Sequence, residues 1–151
     1  GEDRWIFEGT HIQTCAVGKF LPDREGLQLF LVERRLHGER EPIGFRGYMV
    51  DCRGNELWRR DKAGYGRTLE RPDGEGDCLF TLTPGKPPAL LDGDGNVIQE
   101  LDMPSFTYQV DRFDDGDTGT RAVYTIADTS GDGRQEILAY NRSRLWHWAQ
   151  D

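Results

Sequence analysis

The sequence predicts an all-β chain: about three four-stranded antiparallel sheets, arranged as β-propeller blades and forming a fragment of a larger propeller. Three observations lead there. Apolar residues alternate or run in short blocks, and no long stretch carries the i, i+3, i+4 recurrence of an amphipathic helix. Nineteen glycines and seven prolines are spread along the 151 residues, which implies many short elements joined by turns. Finally, "YMVDCRGNELWRR" (residues 48–60) and "ALLDGDGNVIQEL" (residues 89–101) share one pattern, with Asp51 matching Asp92, Gly54 matching Gly95 and Asn55 matching Asn96. An apolar strand ending in Asp, then a left-handed Gly and a second strand, is a hairpin signal.

A first unit covers about 10–61, with strands in "HIQTCAVG", "LQLFLVERRL", "GYMVD" and "NELWRR". A second covers about 62–104, through "GRTLE", "CLFTLT", "PALLD" and "NVIQEL". The third, about 105–151, offers "AVYTIAD", "QEILAY" and "RLWHWAQ" but no fourth strand. Residues 1–9 carry "RWIFEG", an unmatched stretch suited to an outer strand, either of this third unit or of a blade preceding the first. The strands after Gly26, Gly76 and Gly133 recur about 50 residues apart, a blade-sized period. Three blades are fewer than the four to eight with which propellers close. The remaining blades of a longer chain, or a second copy, are therefore expected partners.

A formal net charge of −8 argues against nucleic acid or an anionic membrane surface as the main partner. No apolar run approaches the roughly 20 residues of a membrane-spanning helix. Cys15, Cys52 and Cys78 have no C-x-x-C spacing and lie in apolar surroundings, so buried thiols are expected.

The chemically loaded segment is "DTSGDGRQE" (residues 128–136). Asp128, Ser130 and Asp132 stand at positions one, three and five; Arg134 offers its carbonyl at seven, and Glu136 stands at nine. Hard oxygen ligands at alternate positions, with Gly133 at six for the sharp turn, are what Ca2+ takes up. The twelfth position is Ala139 and the flanks are strands, which excludes an EF-hand. A turn held only by Asp and Gly bonds is the competing reading. "DGDGNVIQE" (residues 92–100) has Val97 at position six and reads as a hairpin corner; "DRFDDGDTGTR" (residues 111–121) reads as a solvated acidic loop.

On these residues the chain resembles rhamnogalacturonan-lyase-like β-propellers: "HIQTCAVGKFLPDREGLQLFLVERR", "GYMVDCRGNELWRRD", "PPALLDGDGNVIQEL" and "ADTSGDGRQEILAYN" look like successive blades. The likeness covers about 10–141. It implies a secreted or cell-envelope polysaccharide lyase with calcium-loaded blades, cleaving rhamnose- and uronate-containing polymers by β-elimination. The first blade departs from the pattern, with Lys19 and Gln28 where the family carries carboxylates. For the elimination, the base candidates are His11, Tyr65 and Lys19, and Arg67 or a bound cation would neutralise the developing charge. A non-catalytic blade array that binds carbohydrate or protein is the alternative. In "RLWHW", Trp146 and Trp148 share one strand face, suited to packing on a neighbouring blade.

Overall fold

The computed structural model describes residues 5–9, 11–34, 45–71, 73–83, 86–103, 123–140 and 144–150. They form β1 (Ile12–Gly18), β2 (Gln28–Arg34), β3 (Phe45–Val50), β4 (Glu56–Asp61), β5 (Tyr65–Glu70), β6 (Asp77–Leu82), β7 (Ala89–Leu91), β8 (Val97–Glu100), β9 (Val123–Ala127), β10 (Glu136–Tyr140) and β11 (Leu145–Trp148). Every one coincides with a strand expected from the sequence, and no helix occurs among the described residues. The strands make three antiparallel meanders: β1-β2-β3-β4, β5-β6-β7-β8 and, three-stranded, β9-β10-β11. None of these sheets closes on itself among the described residues. The acidic stretch at residues 111–121 lies outside the described residues.

Strand alternation decides which side chains join which layer. In β2, Phe30 and Val32 pack with Leu79, Ala89 and Leu91 of the second sheet, while Leu31 joins Tyr48 and Val50 on the opposite face. The second sheet repeats the division. Leu79 turns to the first sheet, whereas Cys78, Phe80 and Leu90 meet Ile137 and Ala139 of the third. Sheets one, two and three therefore stack face to face in chain order. The aromatics between the layers, Phe30 of sheet one and Phe80 of sheet two, are buried, and truncating either to Ala costs about 3–5 kcal/mol by lost transfer and cavity terms.

Residues 5–9 form no strand. Trp5 and Phe7 instead cover the outer face of the first sheet, against Leu31, Tyr48 and Val50. Trp146 and Trp148 share a face, as expected, and pack toward the second sheet.

The matched hairpin corners are superimposable in their bonding. Asp51 Oδ1 accepts the amides of Arg53 (2.9 Å) and Asn55 (2.8 Å), and Asp51 Oδ2 accepts Asn55 Nδ2 (2.9 Å). Asp92 does the same with Asp94 (3.0 Å), Asn96 (2.8 Å) and Asn96 Nδ2 (3.0 Å). Gly54 and Gly95 both sit at φ 83°, the left-handed region that a side chain disfavours. A register shift adjoins each corner, between Met49 and Val50 and between Leu90 and Leu91.

The expectation of three buried thiols is corrected. Only Cys78 is buried; Cys15 is exposed and Cys52 intermediate. Cys15 lies on β1, an edge strand paired only with β2, and Cys52 lies in the corner rather than a strand.

Candidate metal centre

The loop between β9 and β10 gathers the acidic groups that the sequence singled out. Asp128, Asp132 and Glu136 present carboxylate oxygens that all lie within 4.8 Å of one another. Local bonds hold each one. Asp128 accepts the amide of Gly131 on Oδ1 (2.6 Å) and that of Gly133 on Oδ2 (2.9 Å). Asp132 Oδ1 accepts the Arg134 amide (2.9 Å). Glu136 Oε2 accepts the Thr129 amide (2.5 Å) and the Thr129 hydroxyl (2.7 Å). These hydrogen bonds from Thr129, with a further one from Ser130, pull the Glu136 carboxyl down to about 2. A carboxylate oxygen has two lone pairs, so one amide bond leaves capacity for a cation. Ser130 thus enters through Glu136, and Arg134 enters through its amide.

Thr129 and His147 escaped the sequence reading. Thr129 Oγ1 lies 3.3 Å from His147 Nε2, so β11 reaches the loop from the side. The signal was a hydroxyl at position two facing an acid at position nine. The loop base is also tied to the second sheet. The Glu70 amide donates to Gln135 Oε1 (2.9 Å), and Gln150 Nε2 donates to the carbonyls of Glu70 (2.9 Å) and Gln135 (3.1 Å).

Each sheet has an equivalent loop between its first two strands. Gly18 pairs with Gln28, Leu69 with Cys78 and Ala127 with Glu136, and in the second sheet one further pair, Glu70 with Asp77, follows. Lys19, Glu70 and Asp128 are the residues that follow Gly18, Leu69 and Ala127. The equivalence is structural as well as positional. Lys19 is bridged by the next sheet as Glu70 is, its amide donating to Asp77 Oδ2 (2.6 Å) and its carbonyl accepting the Asp77 amide (3.0 Å).

The three loops balance charge differently. In the first, the Lys19 ammonium donates to the carbonyls of Arg24 and Gly26, and buried Gln28, in the place of Glu136, accepts the Leu21 amide at 2.8 Å. In the second, Arg71 pairs with Asp73 at 2.6 Å. In the third, three carboxylates converge and no ion pair among the described residues engages them. The "DGDGNVIQE" segment is a corner, as expected: Asp92 is engaged by turn amides and Asn96.

The residues nominated for elimination chemistry are only partly assembled. His11 Nε2 and Gln13 Nε2 lie 2.6 Å apart, and the Tyr65 hydroxyl donates to Gln13 Oε1 at 3.5 Å. A loose chain thus links His11 to Tyr65. Tyr65 packs against the core between sheets one and two, with its ring 5.2 Å from Phe45. Arg67 is directed elsewhere: its guanidinium lies over the Tyr124 ring of the third sheet, 5.5 Å from the centroid. Lys19 is occupied in its own loop. The chain matches no protein-family model, no curated protein and no solved structure to which it was compared.

Proposed function

We propose that this chain is a calcium-binding segment of a β-propeller, with Asp128, Ser130, Asp132, Arg134 through its carbonyl, and Glu136 as the ion's ligands. The observation that carries the reading is the convergence of three carboxylates whose oxygens all lie within 4.8 Å of one another. The contrast with the first loop supports it, since the equivalent position there carries an ammonium of its own. Oxygen ligands of this number, most of them exposed, suit the weak affinities of extracellular modules, about 10⁻⁴–10⁻³ M. The ion would tie β9 to β10 and hold the loop's acids in one arrangement.

The enzymatic part of the proposal rests on the resemblance: a segment of a polysaccharide lyase cleaving rhamnose- and uronate-containing polymers by β-elimination, secreted or held at the cell envelope. A second reading, a non-catalytic module for carbohydrate or protein, is favoured by one placement. Arg67 lies over Tyr124, away from the His11–Gln13–Tyr65 chain, so base and charge partner do not converge.

Two measurements test these readings. Calcium should raise the melting temperature of the chain, and Asp132→Ala should abolish that rise; an equal rise in the variant defeats the ligand assignment. Incubation with rhamnogalacturonan and calcium should produce new ultraviolet absorbance from unsaturated ends if the chain is a lyase. Retained polymer binding without that absorbance selects the module.

A further inference from the structure

Gln135 stands between two of the nominated ligand residues, Arg134 and Glu136, and it is held from outside its loop. Its Oε1 accepts the Glu70 amide of sheet two at 2.9 Å. Its carbonyl accepts Gln150 Nε2 at 3.1 Å, and the same Nε2 donates to the Glu70 carbonyl at 2.9 Å. Both main-chain polar groups of Glu70 are therefore joined to Gln135, one directly and one through Gln150.

The contact repeats one made between sheets one and two. Asp77 precedes Cys78 as Gln135 precedes Glu136. Asp77 Oδ2 accepts the Lys19 amide at 2.6 Å, and the Asp77 amide donates to the Lys19 carbonyl at 3.0 Å. Between sheets two and three the second of these bonds passes to Gln150, a side chain only 8 % exposed. Its Nε2 serves two carbonyls, while its Oε1 has no partner among the described residues. An orphaned buried acceptor is unfavourable, so the polar contribution of this side chain lies in the two bonds that it donates to Glu70 and Gln135.

Those bonds bear on the ligand set through the peptide planes. The Arg134 carbonyl and the Gln135 amide belong to one planar unit. With the Gln135 side chain and carbonyl both held, that unit turns only about the Gln135 N–Cα bond. On its other side, the bond from the Arg134 amide to Asp132 Oδ1 restrains the chain. The aim of the Arg134 carbonyl is thus set by contacts with sheet two as well as by the loop.

We propose that Gln135 is a positioning residue that couples ion occupancy of the β9–β10 loop to the docking of sheet three on sheet two. Occupancy fixes the Arg134 carbonyl and with it Gln135, which steadies the bonds to Glu70 and Gln150. By linkage, those bonds raise calcium affinity by the factor that occupancy strengthens them. The inference rests on the ion reading above.

Hydrogen exchange of the unmodified protein, in calcium and in chelator, tests it without a variant. Calcium should slow the Glu70 amide about fivefold or more, and the Lys19 amide, in the equivalent bond between sheets one and two, should slow less. Equal slowing of both assigns the effect to global stability and overturns the coupling. Gln135→Met removes the acceptor and keeps a chain of similar length. Losing a group that orients a metal ligand typically weakens affinity about 10–100-fold, so the variant should need that much more calcium for the same rise in melting temperature. A residue that only stabilises the fold would lower the melting temperature in chelator and leave the calcium dependence unchanged, and that result also overturns the proposal. A calcium-induced rise with no change at Glu70 removes the coupling and keeps the ion site; no rise at any calcium concentration removes both.

Discussion

Converting the first loop into a copy of the third is the strictest check on why one loop would bind an ion and the other would not. The perturbation is Lys19→Asp combined with Gln28→Glu. In the native loop the Lys19 ammonium is held by the carbonyls of Arg24 and Gly26. Removing it discards two charge-assisted bonds in an exposed setting, about 1 kcal/mol each after allowance for solvent. For a chain of this length, 1 kcal/mol moves the melting temperature by about 2–4 °C. In chelator the double variant should thus melt about 4–8 °C below the unmodified protein. The same two carbonyls would then face a pair of carboxylates, and calcium at a hundred times its dissociation constant contributes about 2.7 kcal/mol. That stabilisation offsets the whole loss. The assays are thermal unfolding with and without calcium, and calorimetric titration, in which the stoichiometry should increase by one ion per chain. An unchanged stoichiometry would refute the idea that Lys19 stands in for a metal.

Three further outcomes are expected. Trp58→Phe keeps the ring but loses the indole bond to the buried Gly93 carbonyl. It should cost about 1–3 kcal/mol, the desolvation of an unpaired acceptor, measured by urea unfolding. Burial pushes the Cys78 thiol up to about 11. A thiol reagent at pH 8 should therefore label Cys52 well before Cys78, whose labelling should track global unfolding. The Glu136 carboxyl titrates at about 2 against an ordinary 4.5. Because the folded value is the lower one, its contribution is complete above pH 4.5 and is lost as pH falls toward 2. Melting temperature in chelator should decline over that window, and Glu136→Gln should flatten the decline.

What could be read from the sequence was whatever neighbouring residues accomplish among themselves. The corners at Asp51 and Asp92 were legible because Asp, Gly and Asn within five residues make all the defining bonds. The cluster of Asp128, Asp132 and Glu136 was legible for the same reason, since one nine-residue loop carries every carboxylate. Strand positions followed from alternation alone. Features that depend on a partner far along the chain were not legible. His147 reaches Thr129 across 18 residues, and Gln150 reaches Glu70 across 80. Cys15 looked buried because its neighbours are apolar, yet an edge strand leaves that side of it open. Tyr65 and Arg67 were both nominated for the elimination, and the packing sends them to different sheets.

The same distinction bears on what the loops do. Gln28, Cys78 and Glu136 occupy equivalent places near the start of the second strand of each sheet, and all three are buried. Gln28 completes its loop with a neutral oxygen on the Leu21 amide, and Cys78 donates to the Leu69 carbonyl at 3.4 Å. Neither needs a charge. Geometry alone therefore does not require an acid at Glu136, whereas Asp128 and Asp132 each accept turn amides, as Asp51 and Asp92 do in the corners. Like charges brought this close repel, and the amide and hydroxyl bonds from Thr129 serve to keep Glu136 ionised rather than to relieve that repulsion. On the proposed reading, a cation would offset the negative charge that these three groups concentrate, in the place that the Lys19 ammonium takes in the first loop.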